Sequence, residues 1–69
     1  MTQEELKDEL LEKFNQLLEL SNKSITLWNC LMEQGIYPTK DCLEHINLNN
    51  KTKEECLKFI RKYGTQPND

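Results

Sequence analysis

Apolar side chains in the first half of the chain fall at Leu6, Leu10, Leu11, Phe14, Leu17, Leu18 and Leu20. They resume at Ile25, Leu27, Trp28, Leu31 and Met32. Steps of three and four residues are the spacing of a helix face. The phase survives the polar gap Ser21-Asn22-Lys23-Ser24. Leu11, Leu18, Ile25 and Met32 stand seven apart, Leu10, Leu17 and Leu31 form a row through Ser24, and Phe14, Ser21 and Trp28 form a third. Retained phase predicts one helix of about 32 residues, near 48 Å long at 1.5 Å per residue. Ser and Asn in the gap compete for backbone hydrogen bonds, so the helix could bend gently near 21–24, and two helices broken near Ser21 are the alternative.

Punctuation along the chain sets the other boundaries. Thr2-Gln3-Glu4-Glu5 is a capping box, with Met1 and Leu6 placed as a hydrophobic staple. Gly35 ends the helix, because a positive φ costs glycine little. Ile36-Tyr37-Pro38 is a connector, since the residue before proline avoids helix. A short helix over about 39–47, capped by Thr39, would bury Cys42, Leu43 and Ile46. Leu48-Asn49-Asn50-Lys51 reads as a turn. Thr52-Lys53-Glu54-Glu55 is a second capping box, opening a helix over about 53–63 with Cys56, Leu57, Phe59, Ile60 and Tyr63, which Gly64 stops. Residues 65–69 read as a flexible polar tail. The expectation is all-α: a small helical bundle over 1–64, with one long N-terminal helix (about 3–34) and two short C-terminal helices. End to end the short pair would span roughly 33 Å.

Sixty-nine residues and 8.2 kDa allow one small domain. Such a chain buries only about 60% of the surface its unfolded form exposes, so its core is marginal. A net charge of −3 argues against a polybasic arm for nucleic acid or membrane. No run of 18 apolar residues is present, which argues against a membrane span, and no basic-then-apolar opening marks a secretory leader. Three cysteines without close pairs, Cys30, Cys42 and Cys56, read as reduced thiols in a cytoplasm. Ala and Val are absent, Lys outnumbers Arg eight to one, and Asn occurs seven times. That bias suits AT-rich coding, as in small orphan proteins of phages and mobile elements of low-GC bacteria, and equally in AT-rich eukaryotic parasites.

Candidate chemistry is sparse. Cys42-x-x-His45 sets a thiol and an imidazole one turn apart, and with Cys30 and Cys56 it could form a Cys3His zinc set. Only one close pair exists, and Cys42 and Cys56 sit on apolar faces where cysteine acts as a small hydrophobe. No metal site or cofactor is therefore assigned. A Cys–His nucleophile would lack an orienting third group and an oxyanion donor. Paired carboxylates lie on first turns and solvent faces, and no Gly-rich phosphate loop exists. The expectation is a non-enzyme.

Two resemblances extend the reading. Asp41 to Gly64 resembles a helix-turn-helix, with 42–46, 47–51 and 52–64 as first helix, turn and recognition helix. That implies a DNA-binding regulator, with Lys58, Arg61 and Lys62 as the basic contacts. Residues 35–69 carry six basic and five acidic side chains, against three and seven in 1–34. However, Leu43 stands where a small residue is usual, and Glu54 and Glu55 open the recognition helix, where carboxylates would meet the phosphate field with the wrong sign. Leu31-Met32-Glu33-Gln34-Gly35-Ile36-Tyr37-Pro38 is similar to the helix–Gly–Ile–x–Pro–helix corner of the mitotic-spindle organizing protein 1 family, which implies a scaffold-binding adaptor. Beyond Pro38 the apolar spacing departs from that family by one residue, and the family's turn before its second helix is missing.

The most informative feature is the width of the apolar arc on the first helix. At 100° per residue its twelve apolar side chains span roughly 200°, where one packing neighbour needs little over 100°. The surplus could be covered by the short helices, by a second copy of the chain or by another protein. The expected function is a small protein–protein interaction module or regulator acting through this face, with Phe14, Leu17, Trp28, Leu31 and Met32 as partner-binding residues. A phage product of this kind would bind a host protein. A DNA-binding regulator and a structural subunit of a larger assembly are the alternatives.

Overall fold

A computed structural model describes residues 2–64. Two long helices run antiparallel as a hairpin, α1 over Gln3–Glu33 and α2 over Thr39–Phe59, and a single π turn over Ile60–Gly64 prolongs α2. No strand occurs among the described residues. The chain is all-α.

α1 begins as its sequence dictates. The amide of Glu5 donates to Thr2 Oγ1 at 3.1 Å and the amide of Thr2 donates to Glu5 Oε1 at 2.8 Å, closing the capping box. Met1, the other half of the expected staple, lies outside the described residues, as does the 65–69 tail. The polar gap at 21–24 is helical throughout. Thr26 Oγ1 donates to the carbonyl of Asn22 at 3.2 Å, a bond back onto the preceding turn that leaves the backbone ladder in place. Ser21 itself is buried, at 2% exposure.

The corner is a Schellman motif. The Ile36 amide donates to Leu31 O at 3.0 Å and the Gly35 amide to Met32 O at 3.1 Å, with Gly35 at φ 69°. This wrapping satisfies the last carbonyls of α1 while reversing the chain. Pro38, not Thr39, occupies the N-cap of α2, and it makes no side-chain cap bond. The first turn is closed by the Cys42 amide on Pro38 O at 3.1 Å. The Cys42 thiol reaches back to Tyr37 O at 3.8 Å, tying the connector to the helix.

The two short C-terminal helices expected from the sequence are one helix. Residues 48–51 form no turn: Asn49 Nδ2 donates to His45 O at 2.8 Å and Thr52 Oγ1 to Leu48 O at 3.1 Å. Both side chains bond to the previous turn instead of capping a new one. The second capping box is accordingly absent, and Glu55 faces Lys58 at 4.0 Å instead. Continuity wins because no Gly or Pro enforces a break and because Cys42, Ile46, Asn49, Lys53, Cys56 and Ile60, in steps of four and three, are all buried or half-buried. A turn at 48–51 would pull half of that seam off α1. Leu43, expected inside, is 46% exposed.

Packing fixes the register. Phe14 stacks on Phe59 with ring centres 4.0 Å apart, and Trp28 stacks on His45 at 4.1 Å. Fourteen residues forward in α1 match fourteen back in α2, so both stacks belong to one antiparallel alignment. Gly64 closes the far end because a Cβ there would meet Leu11 Cδ2 at 3.2 Å. Its role is space, not a positive φ as the sequence suggested. The result is long and thin, 49 × 23 × 13 Å. Its radius of gyration of 15.7 Å exceeds the about 11 Å of a compact domain of this length.

Candidate functional site

The hairpin uses one stripe of α1 and leaves another open. Leu11, Phe14, Leu18, Ser21, Ile25, Trp28 and Met32, spaced alternately by three and four, are all buried or half-buried against α2. The residues just before these, 100° round the helix, are Leu10, Lys13, Leu17, Leu20, Ser24, Leu27 and Leu31, and Leu6 extends the row. This second seam keeps the same heptad rhythm as the first, and six of its eight members are leucine. Leu6, Leu10, Leu17, Leu20 and Leu27 are 41–63% exposed. Ser24 and Leu31 are half-buried.

α2 extends the open face. Phe14, Leu17, Leu48 and Thr52 line one shallow groove, and Leu10, Leu11, Phe59 and Tyr63 line another toward the chain ends. Leu48 and Tyr63 are 62% and 57% exposed. The only buried residues among those described are Ser21, Cys42 and Cys56, all small. They let the helices approach closely, but they leave the large side chains at the margins. Complete burial of one leucine is worth about 1.5–3 kcal/mol, so the uncovered seam is a large reserve of association energy. Contiguous apolar faces of this size are unusual on isolated soluble chains.

The structure divides the partner-binding residues expected from sequence. Phe14 and Trp28 are half-buried and committed to rings of α2 and the connector: Phe14 to Phe59, and Trp28 to His45 and to Tyr37 at 5.9 Å. Met32 is half-buried in the intramolecular seam. Leu17 and Leu31 belong to the second seam. Leu6, Leu20 and Leu27, which sequence reasoning did not single out, are among its most exposed members. Their signal was present in the one-residue offset between two heptad rows.

The polar chemistry is that of a hairpin surface. Glu5 is held below the usual carboxylate range, chiefly by the Thr2 amide and then by the Thr2 hydroxyl. Burial, aided by the Glu55 carboxylate, pushes the Cys56 thiol up, so it is a poorer nucleophile. Cys30 is exposed while Cys42 and Cys56 are buried. Among the described residues no three His, Cys, Asp or Glu side chains converge as a metal site would require. The Cys3His set that the sequence spacing allowed, and to which no metal was assigned, is not brought together, and the His45 imidazole lies on Trp28.

The basic residues of the helix-turn-helix reading sit at the end of the hairpin. Lys58 pairs with Glu55, and the Lys62 ammonium lies 5.3 Å from the centre of the Tyr63 ring. Arg61 is exposed. With α2 unbroken from 39 to 59, the turn that would present a recognition helix does not exist. No helix among the described residues is long and apolar enough to cross a membrane. Comparison with protein-family models, with curated proteins and with solved structures found no match.

Proposed function

We propose that this chain is a non-enzymatic protein–protein interaction module whose working surface is the leucine seam of α1. The observation that carries this reading is the five leucines at 41–63% exposure on one heptad row, beside a hairpin that already satisfies the neighbouring row. Helices that recognise helices do so through such three–four spacing, with leucine knobs entering holes on the facing surface.

The exposed seam supports the reading in a second way. A two-helix hairpin with three small buried residues has little core of its own, and chains of this size gain stability by associating. Docking would complete the core and form the interface in one event. Phe14 and Trp28 then act as braces that hold the two helices in register beneath the contact surface.

A retention assay tests this. The full chain is immobilised and exposed to an extract of the cells it is expressed in naturally and to its own labelled copy. Wild type should retain protein, Leu17→Glu with Leu20→Glu should retain at least tenfold less, and Asn22→Glu on the polar face should behave as wild type. Equal retention by all three would defeat the reading.

A further inference from the structure

The second seam is self-complementary when reversed, and we infer that its occupant is a second copy of this chain, packed antiparallel, α1 on α1, about a two-fold axis between Leu17 and Leu20. This rests on the docking reading above and names the partner of that same surface. Read forward from residue 6, the seam runs Leu6, Leu10, Lys13, Leu17, Leu20, Ser24, Leu27, Leu31. Its spacing of four, three, four, three, four, three, four is the same in both directions. Turned end for end on itself, Leu6 meets Leu31 of the second copy, Leu10 meets Leu27, Leu17 meets Leu20, and Lys13 meets Ser24. Every leucine faces a leucine, and the two interruptions coincide.

Charge selects this orientation. A parallel pair would set Lys13 against Lys13 inside the seam, a like-charge contact that both copies must desolvate. Reversal sets it opposite a hydroxyl that can accept from the ammonium. Residues 3–18 carry five acidic and two basic side chains, while 19–33 carry two acidic and one basic. Antiparallel pairing places the strongly acidic half of each helix along the nearly neutral half of the other. Parallel pairing would align the two acidic halves.

Geometry and area agree. The second seam lies 100° from the first, so α1 would have α2 on one side and α1 of the second copy at about a right angle, the placement of a helix in a four-helix bundle. The broad face of the hairpin extends 49 × 23 Å, which leaves room for the roughly 800 Å² per partner that a stable interface buries. An unrelated partner helix would not require a seam that matches its own reverse.

Sedimentation equilibrium on the full chain under reducing conditions, together with directed cross-linking, tests the pairing. Wild type should sediment at twice the 8.2 kDa chain mass. Lys13→Leu should lower the dimer dissociation constant at least tenfold, and Leu17→Glu with Leu20→Glu should raise it at least a hundredfold. In a Cys30→Ser background, a mixture of Leu10→Cys and Leu27→Cys chains should form a mixed disulfide, while neither chain should link to its own kind through the new thiol. A wild type that stays at one chain mass up to millimolar concentration overturns the pairing. So does a Leu10→Cys chain that links to itself, which would mean parallel helices. The cross-links decide even where the glutamate variant loses helicity by circular dichroism. A monomeric chain that still retains another protein through Leu17 and Leu20 would leave the docking reading standing and remove self-pairing alone.

Discussion

The indole of Trp28 lies flat on the imidazole of His45, 4.1 Å between ring centres and 6° between planes. Together with Phe14 on Phe59 at 4.0 Å and 11°, it pins α1 to α2 at two levels of an otherwise thin contact. Stacked aromatic pairs are worth about 0.5–1.5 kcal/mol beyond the area they bury. A double-mutant cycle on Trp28→Leu and His45→Ala should return a coupling energy in that range by urea denaturation. Additive effects of the two changes would mean that the rings do not support each other in solution.

Asn50 lies in mid-helix rather than in a turn. It is exposed, so a substitution there reports on backbone alone. Asn50→Pro should cost about 3 kcal/mol or more, because it removes a helix bond and clashes with the preceding turn. Asn50→Ala should stabilise by a few tenths of a kcal/mol. A proline tolerated at this position in thermal melts would restore the helix–turn–helix arrangement.

Gly35 and Gly64 serve different ends and should respond differently. Gly35 sits at φ 69° with nothing near a would-be Cβ, so Gly35→Ala should cost about 1–2 kcal/mol through backbone strain alone. Gly35→Asn should cost less, since asparagine tolerates that region. Gly64→Ala instead pushes on Leu11 and Ile60 at 3.2 and 3.3 Å. Its effect should shrink when Leu11 is shortened to Ala, a rescue that Gly35→Ala would not show.

The Glu5 carboxylate is held below its usual value of 4.5 by bonds that exist only in the folded helix. A lowered folded value means that the unfolded chain binds the proton more readily. The cap therefore contributes fully above 4.5 and is lost as pH falls through the folded value. Titration of the Glu5 side-chain carbon by NMR should give a midpoint below 4.5. Glu5→Ala should remove that part of the acid sensitivity of α1, and a midpoint at or above 4.5 would argue against the capping box.

Thiol reactivity should split the cysteines one to two. Cys30 is exposed, Cys42 and Cys56 are 0% and 1% exposed, and burial holds the Cys56 thiolate out of reach. At pH 8, iodoacetamide should label Cys30 quickly and the other two only at the rate of unfolding. Because the folded Cys56 value is raised, stability should fall as pH rises through and beyond 9.0, the ordinary thiol value. Cys56→Ser should blunt that fall.

Much of the fold was legible where one local rule acted alone. Thr2 with Glu5, the unbroken phase through Ser21, and Gly35 before Pro38 each announced its element, and each stands as read. The error at 48–51 came from two rules in conflict. Thr52 and Glu55 have the spacing of a cap, and Asn49 and Asn50 the composition of a turn. A helix packed along its whole length outweighed both, and that packing lies with α1, far away in sequence. At the candidate site, the width of the apolar arc was readable from α1 alone. Which half of the arc stays open was not, because it depends on where α2 lies, and Phe14 and Trp28 therefore looked like free anchors. The register set by Phe59 and His45 half-buries them against rings of α2, and leaves Leu6, Leu20 and Leu27 as the most exposed leucines of the open row.

Whether the leucine seam is a contact surface in solution is read most directly by methyl NMR with a soluble paramagnetic probe. Leu43, half exposed on α2 and outside the seam, is the internal reference. The expected result is that the methyls of Leu10, Leu17, Leu20 and Leu27 are relaxed several-fold less than those of Leu43 in wild type. In Leu17→Glu the methyls of Leu10, Leu20 and Leu27 should become as accessible as those of Leu43. Seam methyls relaxed as strongly as Leu43 in wild type at millimolar concentration would contradict a covered seam, and with it the case that this hairpin works by pairing through α1 with a second copy of itself.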